Sequence, residues 1–153
     1  MIRVDIAALI PTQAGCAVFL GDDSKVILFY IDPAVALSIN TAINGQKMPR
    51  PLTHDLYALT LEAFGAKVSR MVINEVDGDI FYARLFLTAE NEIMERKIIE
   101  LDARPSDCLA IAVRGNAPIY VAPDVWASLE DRSSLLKQML SAQDGEEGFH
   151  FGD

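Results

Sequence analysis

The sequence is short of the features that mark several large functional classes. Cysteine occurs twice, at Cys16 and Cys108. Both lie in apolar surroundings and no C-x-x-C pair exists, which argues against a disulfide framework and against a thiolate metal site. Buried reduced thiols are the expectation, as in a cytoplasmic protein. No apolar run approaches the roughly 18–20 residues that a membrane span requires, so no membrane segment is expected. Ala14-Gly15-Cys16 faintly resembles a lipoprotein cleavage site, but Asp5 interrupts the preceding stretch and Pro11, Thr12 and Gln13 end its apolar run, so it fails as a signal sequence. Histidine also occurs twice, and only His54 lies in the body of the chain; no Ser-His-Asp arrangement is suggested by spacing. G-x-G-x-x-G, Walker, H-E-x-x-H and G-x-S-x-G patterns are absent. Nicotinamide chemistry, P-loop ATP hydrolysis and zinc proteolysis therefore lack support.

Basic residues are scarce as well. Thirteen Lys and Arg face 22 Asp and Glu, for a net charge of −9 over 153 residues. That balance argues against coating nucleic acid or an anionic membrane by bulk attraction. All 13 basic side chains and 18 of the acidic ones lie in residues 1–140, which carry −5. The end of the chain, SAQDGEEGFHFGD, carries the remaining −4 and reads as an acidic, flexible tail over 143–153. Half of the chain is apolar (51%) and 23% is charged, too much apolar surface for a disordered chain. The length suggests one domain, here placed at 1–142.

Residues 2–10, 16–20 and 26–31 read as strands, the last two joined by the turn cluster Gly21-Asp22-Asp23-Ser24. Asp32-Pro33 reads as an N-cap and first helical residue, with Val35, Ile39, Ala42 and Ile43 at helical spacing and Gly45 closing a helix over about 33–44. Residues 46–52 hold two prolines and form a loop. Thr53 is the expected N-cap of a second helix whose apolar surface comes from Leu56, Leu59, Leu61, Ala63 and Phe64, ending at Gly65. Strands follow at 67–76, 79–88 and 94–101, the first two joined at Asp77-Gly78. An apolar helix after Pro105 is stopped by Gly115. A short strand at 118–122 and helical stretches at 123–130 and 133–142 complete the chain. Each half runs strand, strand, strand, Asp, Pro, helix, a possible internal pseudo-repeat or simply shared helix-start chemistry. Strands and helices mix without strict βαβ alternation, so the expected class is α+β: a mixed, mostly antiparallel sheet with helices packed on it.

Two segments concentrate polar groups at helix starts. Arg50-Pro51-Leu52-Thr53-His54-Asp55-Leu56 offers a guanidinium, a hydroxyl, an imidazole and a carboxylate beside free helix N–H groups. Arg50 could hold a phosphate and His54 could move a proton near neutral pH; the plainer reading has Thr53 capping, Asp55 complementing the helix dipole and His54 merely exposed. In Asp102-Ala103-Arg104-Pro105-Ser106-Asp107, the two carboxylates could converge on Mg²⁺ or Mn²⁺, which could activate water. The plainer reading there is a capped helix with an Arg–Asp bridge. Phe81, Tyr82 and Phe86 could stack on bases, but at strand spacing core packing is expected. Arg96-Lys97 reads as a solvated strand face, and Trp126 as packing the last helix or an interface.

RPLTHDL (50–56) and LDARPSDCLAIAVRGNAPIYV (101–121) resemble the signature stretches of the bifunctional nuclease family, and VINEVDGDIFYARLFL (72–87) fits that family's central region. The resemblance covers roughly residues 2–128. It implies a compact α+β domain, usually dimeric, that cleaves DNA and RNA. By motif, the matching positions are Arg50, Thr53, His54, Asp55, Asp102, Arg104, Ser106 and Asp107. Where family members often show a Pro, a Gly and a helix Glu, this chain has Leu28, Asp32 and Val35, a departure that bears on activity more than on fold.

The resulting expectation is a metal-assisted nuclease. Asp102, Asp107 and His54 would be catalytic; Arg50, Thr53, Arg104 and Ser106 would bind substrate. Asp102 and Asp107 would hold the ion, with Asp55 a secondary candidate. Expected partners are nucleic acid, bound weakly and through metal, and a second copy of the chain. The alternatives are a non-catalytic dimeric module that binds an anion or a protein, and a hydrolase of small phospho-compounds.

Overall fold

The computed structural model describes residues 1–145; the tail residues 146–153, including Phe149, His150 and Phe151, lie outside the described residues. Strands β1 (Ile2–Thr12), β2 (Gly15–Gly21) and β3 (Val26–Ile31) lead into helix α1 (Pro33–Ile43). After helix α2 (Thr53–Ala63), strands β4 (Ala66–Asp77), β5 (Ile80–Glu90) and β6 (Arg96–Ala103) lead into helix α3 (Pro105–Arg114). Strand β7 (Ile119–Val121) and helices α4 (Pro123–Ser128) and α5 (Ser133–Gly145) complete the described chain. The expected α+β class holds.

All seven strands join one sheet in the order β3-β2-β1-β7-β4-β5-β6. Every pairing is antiparallel except β4 with β7. Each half is thus a three-stranded meander followed by a helix that opens on proline, and β7 is the seam between them. The two helix starts differ in detail. Asp32 caps α1, its Oδ1 accepting the Ala34 N–H at 2.7 Å, whereas the N-cap of α3 is Arg104 and no side chain caps it. Asp102 does not play the part of Asp32.

The sheet curls. Phe29 lies on edge strand β3 and Phe81 near the far edge on β5, yet their ring centroids are 5.1 Å apart. The helix enclosed by this curl is α3, with Pro105, Ser106, Cys108, Leu109, Ala110, Ile111 and Ala112 all buried. Its small residues (Ser, Cys and Ala) let α1 pack closely against it, and α1 contributes Val35, Ala36 and Ile39 to the same core. The inward face of β5 is Phe81, Ala83, Leu85 and Leu87. Strand alternation then sends Tyr82 and Phe86 to the other face. There Tyr82 is exposed and Phe86 lies under the Arg70 guanidinium, 4.2 Å from the ring centroid. The core expectation therefore holds for Phe81 alone of the three. Trp126 packs against the core, with the Lys25 ammonium over its ring at 5.2 Å.

Several boundaries differ for local reasons. Asp77 pairs with Ile80, so the hairpin loop is Gly78-Asp79, with φ +61° at Gly78. Strand β6 starts at Arg96 rather than 94 because Asn91 folds residues 91–95 into a turn, its Oδ1 accepting the N–H groups of Ile93 and Glu95. At the end of α3 the left-handed residue is Asn116 (φ 51°), one after Gly115. Helix α4 ends at Ser128, and α5 continues to Gly145, past the expected boundary at 142.

Candidate functional site

Helix α2 lies across α3 and is tied to it at two points. Its two neighbouring residues His54 and Asp55 reach Asp107 and Arg114, positions two turns and roughly 10.5 Å apart along α3. At one end, His54 Nε2 meets Asp107 Oδ1 at 2.9 Å. At the other, the nearly buried Arg114 donates from Nε to Asp55 Oδ1 at 2.8 Å and from Nη1 to the Ala110 carbonyl at 2.8 Å.

The start of α2 departs from expectation. Its N-cap is Leu52, which has no side-chain acceptor, so only half of a capping box forms: the Leu52 N–H donates to Asp55 Oδ2 at 2.9 Å. Thr53 is the first helical residue and does not cap. Both Asp55 oxygens are thereby engaged, which makes Asp55 a tie between helices.

The Asp107 end is a longer chain of hydrogen bonds. Ser38 Oγ on α1 lies 2.7 Å from His54 Nδ1. Arg104 Nε donates to Asp107 Oδ2 at 3.0 Å. Since the carboxylate can only accept, Nε2 of His54 carries a proton, and in the neutral ring Nδ1 accepts from the Ser38 hydroxyl. The result is Ser38–His54–Asp107–Arg104, which joins α1, α2 and α3. Ser38 is buried and His54 nearly so, while Asp107 is about one-third exposed and Arg104 is two-thirds exposed. Partial burial pushes the Asp107 carboxyl up, but the hydrogen bonds from His54 and Arg104 and the Arg104 charge outweigh it, so Asp107 titrates below the usual carboxylate range. For Asp55, the hydrogen bonds from Arg114 and the Leu52 N–H lower the carboxyl in the same direction.

Asp107 and His54 open onto a cleft of about 420 Å³, also lined by Thr53, Tyr57, Asp102 and Cys108. Cys108 is no nucleophile there: burial, then the charges of Asp107 and Asp102, push its thiol up to about 12. Cys16 is also a free, buried thiol, pushed by burial up to about 11.

The two carboxylates expected to converge both line this cleft, without a common hydrogen-bond partner. Asp102 is exposed at the edge strand, opposite Arg84 on β5. Asp107 is engaged on both oxygens by His54 and Arg104. Among the described residues, no three or more His, Cys, Asp or Glu gather as a metal site. The donors present therefore do not fit a resident divalent ion as they stand; an ion would have to displace Arg104 or His54 from Asp107. The departure noted at Val35 agrees, since that side chain is buried in the core.

The remaining site residues are dispersed. Arg50 lies on a different cleft, of about 530 Å³, with Lys47, Asp55, Glu62 and Arg114. Ser106 is buried and faces a third cleft, of about 330 Å³, which Arg104 also lines. Sequence reasoning missed Ser38 and Arg114. The signal for Ser38 was present: it is the polar residue in the buried stripe Val35, Ser38, Ile39 of α1.

Fold and site together define an α+β protein with a Ser–His–Asp–Arg hydrogen-bonded chain at the mouth of a cleft. Residues 18–133 match the bifunctional nuclease domain, and the chain belongs to that family. An uncharacterised protein of Mycobacterium tuberculosis is 38% identical over 103 residues, 67% of this chain and 58% of its own length. A rice (Oryza sativa subsp. japonica) protein named bifunctional nuclease 2 is 31% identical over 119 residues, 78% of this chain and 35% of its own. A second rice protein (subsp. indica), bifunctional nuclease 1, is 31% identical over 86 residues, 56% of this chain and 25% of its own. The chain thus spans between a quarter and three-fifths of these relatives' lengths. Among the described residues, no helix is long and apolar enough to cross a membrane.

The Asp55–Arg114 tie has a measurable pH signature. Asp55→Asn removes the charge facing a nearly buried guanidinium, and should cost about 1–2 kcal/mol at pH 7, the low end for hydrogen bonds to charged groups because Asp55 is over one-third exposed. A carboxyl lowered in the folded state stabilises fully above its unfolded value of about 3.9 and loses that contribution as pH falls through its folded value. Urea unfolding should therefore show the deficit at neutral pH and a converging pair of curves below roughly pH 4. A deficit of equal size at acid pH would contradict this reading of the pair.

Proposed function

We propose that this chain hydrolyses phosphodiester bonds of DNA and RNA at the cleft between α2 and α3, and that it does so as a homodimer. One observation carries the reading. The two stretches that mark the family meet at a single carboxylate: 50–56 supplies His54, and 101–121 supplies both Asp107 and Arg104. The printed names of the rice relatives support the reaction class.

The chemistry follows from what each side chain can do. Arg104 uses only Nε on Asp107, which leaves its terminal nitrogens for a phosphate oxygen. Asp107 is held ionised and is the most exposed acceptor of the chain beside Arg104. It orients the attacking water and accepts its proton as the new O–P bond forms. The opposite P–O bond breaks, and the leaving oxygen takes a proton from solvent. His54 is the positioning residue for Asp107, and Ser38 is the positioning residue for His54, fixing which ring nitrogen faces the carboxylate. A lowered carboxyl is a weak base, so slow turnover is expected without further assistance.

The dimer reading rests on α2. It has no fully buried residue, and Leu56, Leu59 and Phe64 are exposed along it, at 59%, 50% and 81%. Near its C-terminal end the backbone is bonded to the end of β5, and edge strand β6 adds the exposed Ile98. An apolar helix face beside an open strand edge is the type of surface that a second copy covers.

The test is a cleavage assay with homogeneous protein on single-stranded DNA, RNA and duplex DNA, with Mg²⁺, Mn²⁺ or EDTA. Cleavage of single strands is expected, with Asp107→Ala lowering the rate by roughly 100-fold or more. Polymers left intact in every arm would overturn the reaction and leave the non-catalytic anion- or protein-binding module, which full engagement of Asp107 favours. Sedimentation should give the mass of a dimer, and Phe64→Glu that of a monomer; a wild-type monomer at all concentrations would refute the assembly.

A further inference from the structure

The sheet has two edges, and they differ. Along β3, Tyr30 is the one exposed residue, and the chain before α5 is bonded to the start of that strand, the Arg132 N–H donating to the Val26 carbonyl at 2.7 Å. Strand β6 has no such cover. Six of its eight residues are exposed, Ile98 at 75%. The backbone groups on its outer side bond to no other segment among the described residues. An open edge of this length is a template for another strand.

The charges along β6 say which strand fits. By register, Arg96, Ile98, Glu100 and Asp102 share the face that carries Arg84 and Phe86 of β5. Glu100 is met by Arg84 at 3.8 Å. Arg96 and Asp102 make no ion pair among the described residues. These two are opposite in sign and stand three residues to either side of Ile99. In an antiparallel pair, directly opposed residues point to the same face. A two-fold axis perpendicular to the sheet therefore has to pass through a residue, not between two. With the axis at Ile99, Arg96 of each copy meets Asp102 of the other, and Lys97 lies opposite Leu101. With the axis at Glu100, the two Glu100 carboxylates would oppose each other, which is unfavourable. With the axis at Ile98, Arg96 would meet Glu100, which Arg84 already holds, and Asp102 would meet Met94, outside the strand.

We propose that two copies of the chain join edge to edge through β6, antiparallel and centred on Ile99, and that Arg96 of each copy neutralises Asp102 of the other. The sheet then runs on from one copy into the next, and the interface is the self-complementary kind that closes at two. Each exposed ion pair alone is worth little, but the axis makes every contact twice and the strand backbones add a ladder of hydrogen bonds. The two α2 helices, tied to α3 on one side of the sheet, come to lie on the same face of the joined sheet. Asp102 lines the Asp107 cleft. Each cleft thus gains a cation of the other copy at its rim, and a carboxylate that would repel an incoming anion there is compensated. The pairing rests on the homodimer proposed above and not on the reaction.

Sedimentation equilibrium of charge-swapped variants tests this without any cleavage. Arg96→Asp and Asp102→Arg should each raise the dimer dissociation constant about tenfold, since either change turns two opposed pairs into like charges. The double variant Arg96→Asp/Asp102→Arg should return it to within about threefold of the wild type, a recovery that a folding defect in either single variant would not allow. Ile99→Cys should form a covalent dimer under mild oxidation, because opposed Cα atoms in an antiparallel pair are about 4.5–5.5 Å apart, within disulfide reach. The wild type should not, since Cys16 and Cys108 are buried. Crosslinking through Ile98→Cys or Glu100→Cys in preference to Ile99→Cys would place the axis elsewhere and overturn the register. Single variants that dimerise like the wild type, or a double variant that does not recover, would overturn the Arg96–Asp102 pair. A wild-type dimer with no crosslink at any of the three positions refutes the pairing alone, and a monomer at all concentrations refutes the homodimer with it. A dimer crosslinked at Ile99→Cys that cleaves no nucleic acid refutes the reaction alone.

Discussion

The burial of α3 is the constraint on which the rest depends. From Pro105 to Ala112 nearly every side chain is enclosed by the curled sheet and by α1, so the helix can carry polar chemistry only at its two ends. Its N-terminal end holds Arg104, Ser106 and Asp107; its C-terminal end holds Arg114. Each end is then tied to α2, through His54 and Asp55. A helix with no buried residue of its own is in this way held by charge and hydrogen bonds at two points two turns apart, with its apolar outer face left for another surface.

This arrangement also bears on how an acidic chain would meet the anionic substrate of the proposed reaction. The global charge of −9 is spread over the whole chain, and part of it lies in the tail beyond residue 145. What a phosphate meets is local. Arg104 is anchored by Asp107 yet keeps its terminal nitrogens free, and the α3 N-terminus adds backbone donors. Asp102, Asp32 and Asp79 stand close enough to keep the attraction modest. For the proposed reaction, weak, salt-sensitive contact with polymers is expected, rather than tight binding.

Much of the fold was legible because its signals are local. Asp32-Pro33, Asp77-Gly78 and Pro105 each mark a boundary by the chemistry of one or two residues, and each boundary falls within a residue or two of the structure. The antiparallel meanders follow from short connections. What escaped were contacts between elements distant in sequence. Ser38 and His54 are 16 residues apart, His54 and Asp107 are 53, and Asp55 and Arg114 are 59. No spacing rule reports such pairs, so a Ser-His-Asp chain was not foreseen. Asp102 and Asp107 illustrate the converse. Their nearness in sequence brings both to one cleft, but only Asp107, at the helix start, is held by His54 and Arg104; Arg84, opposite Asp102 in the strand register, pairs with Glu100.

The account turns on Asp107 as the acceptor that organises His54. The most direct measurement is the protonation of the His54 ring by long-range ¹H–¹⁵N correlation near neutral pH. Because Asp107 can only accept, Nε2 should appear with a bound proton, and Asp107→Ala should abolish that preference. A wild-type ring whose Nε2 is unprotonated would contradict the central chain of hydrogen bonds, and with it the site built on them.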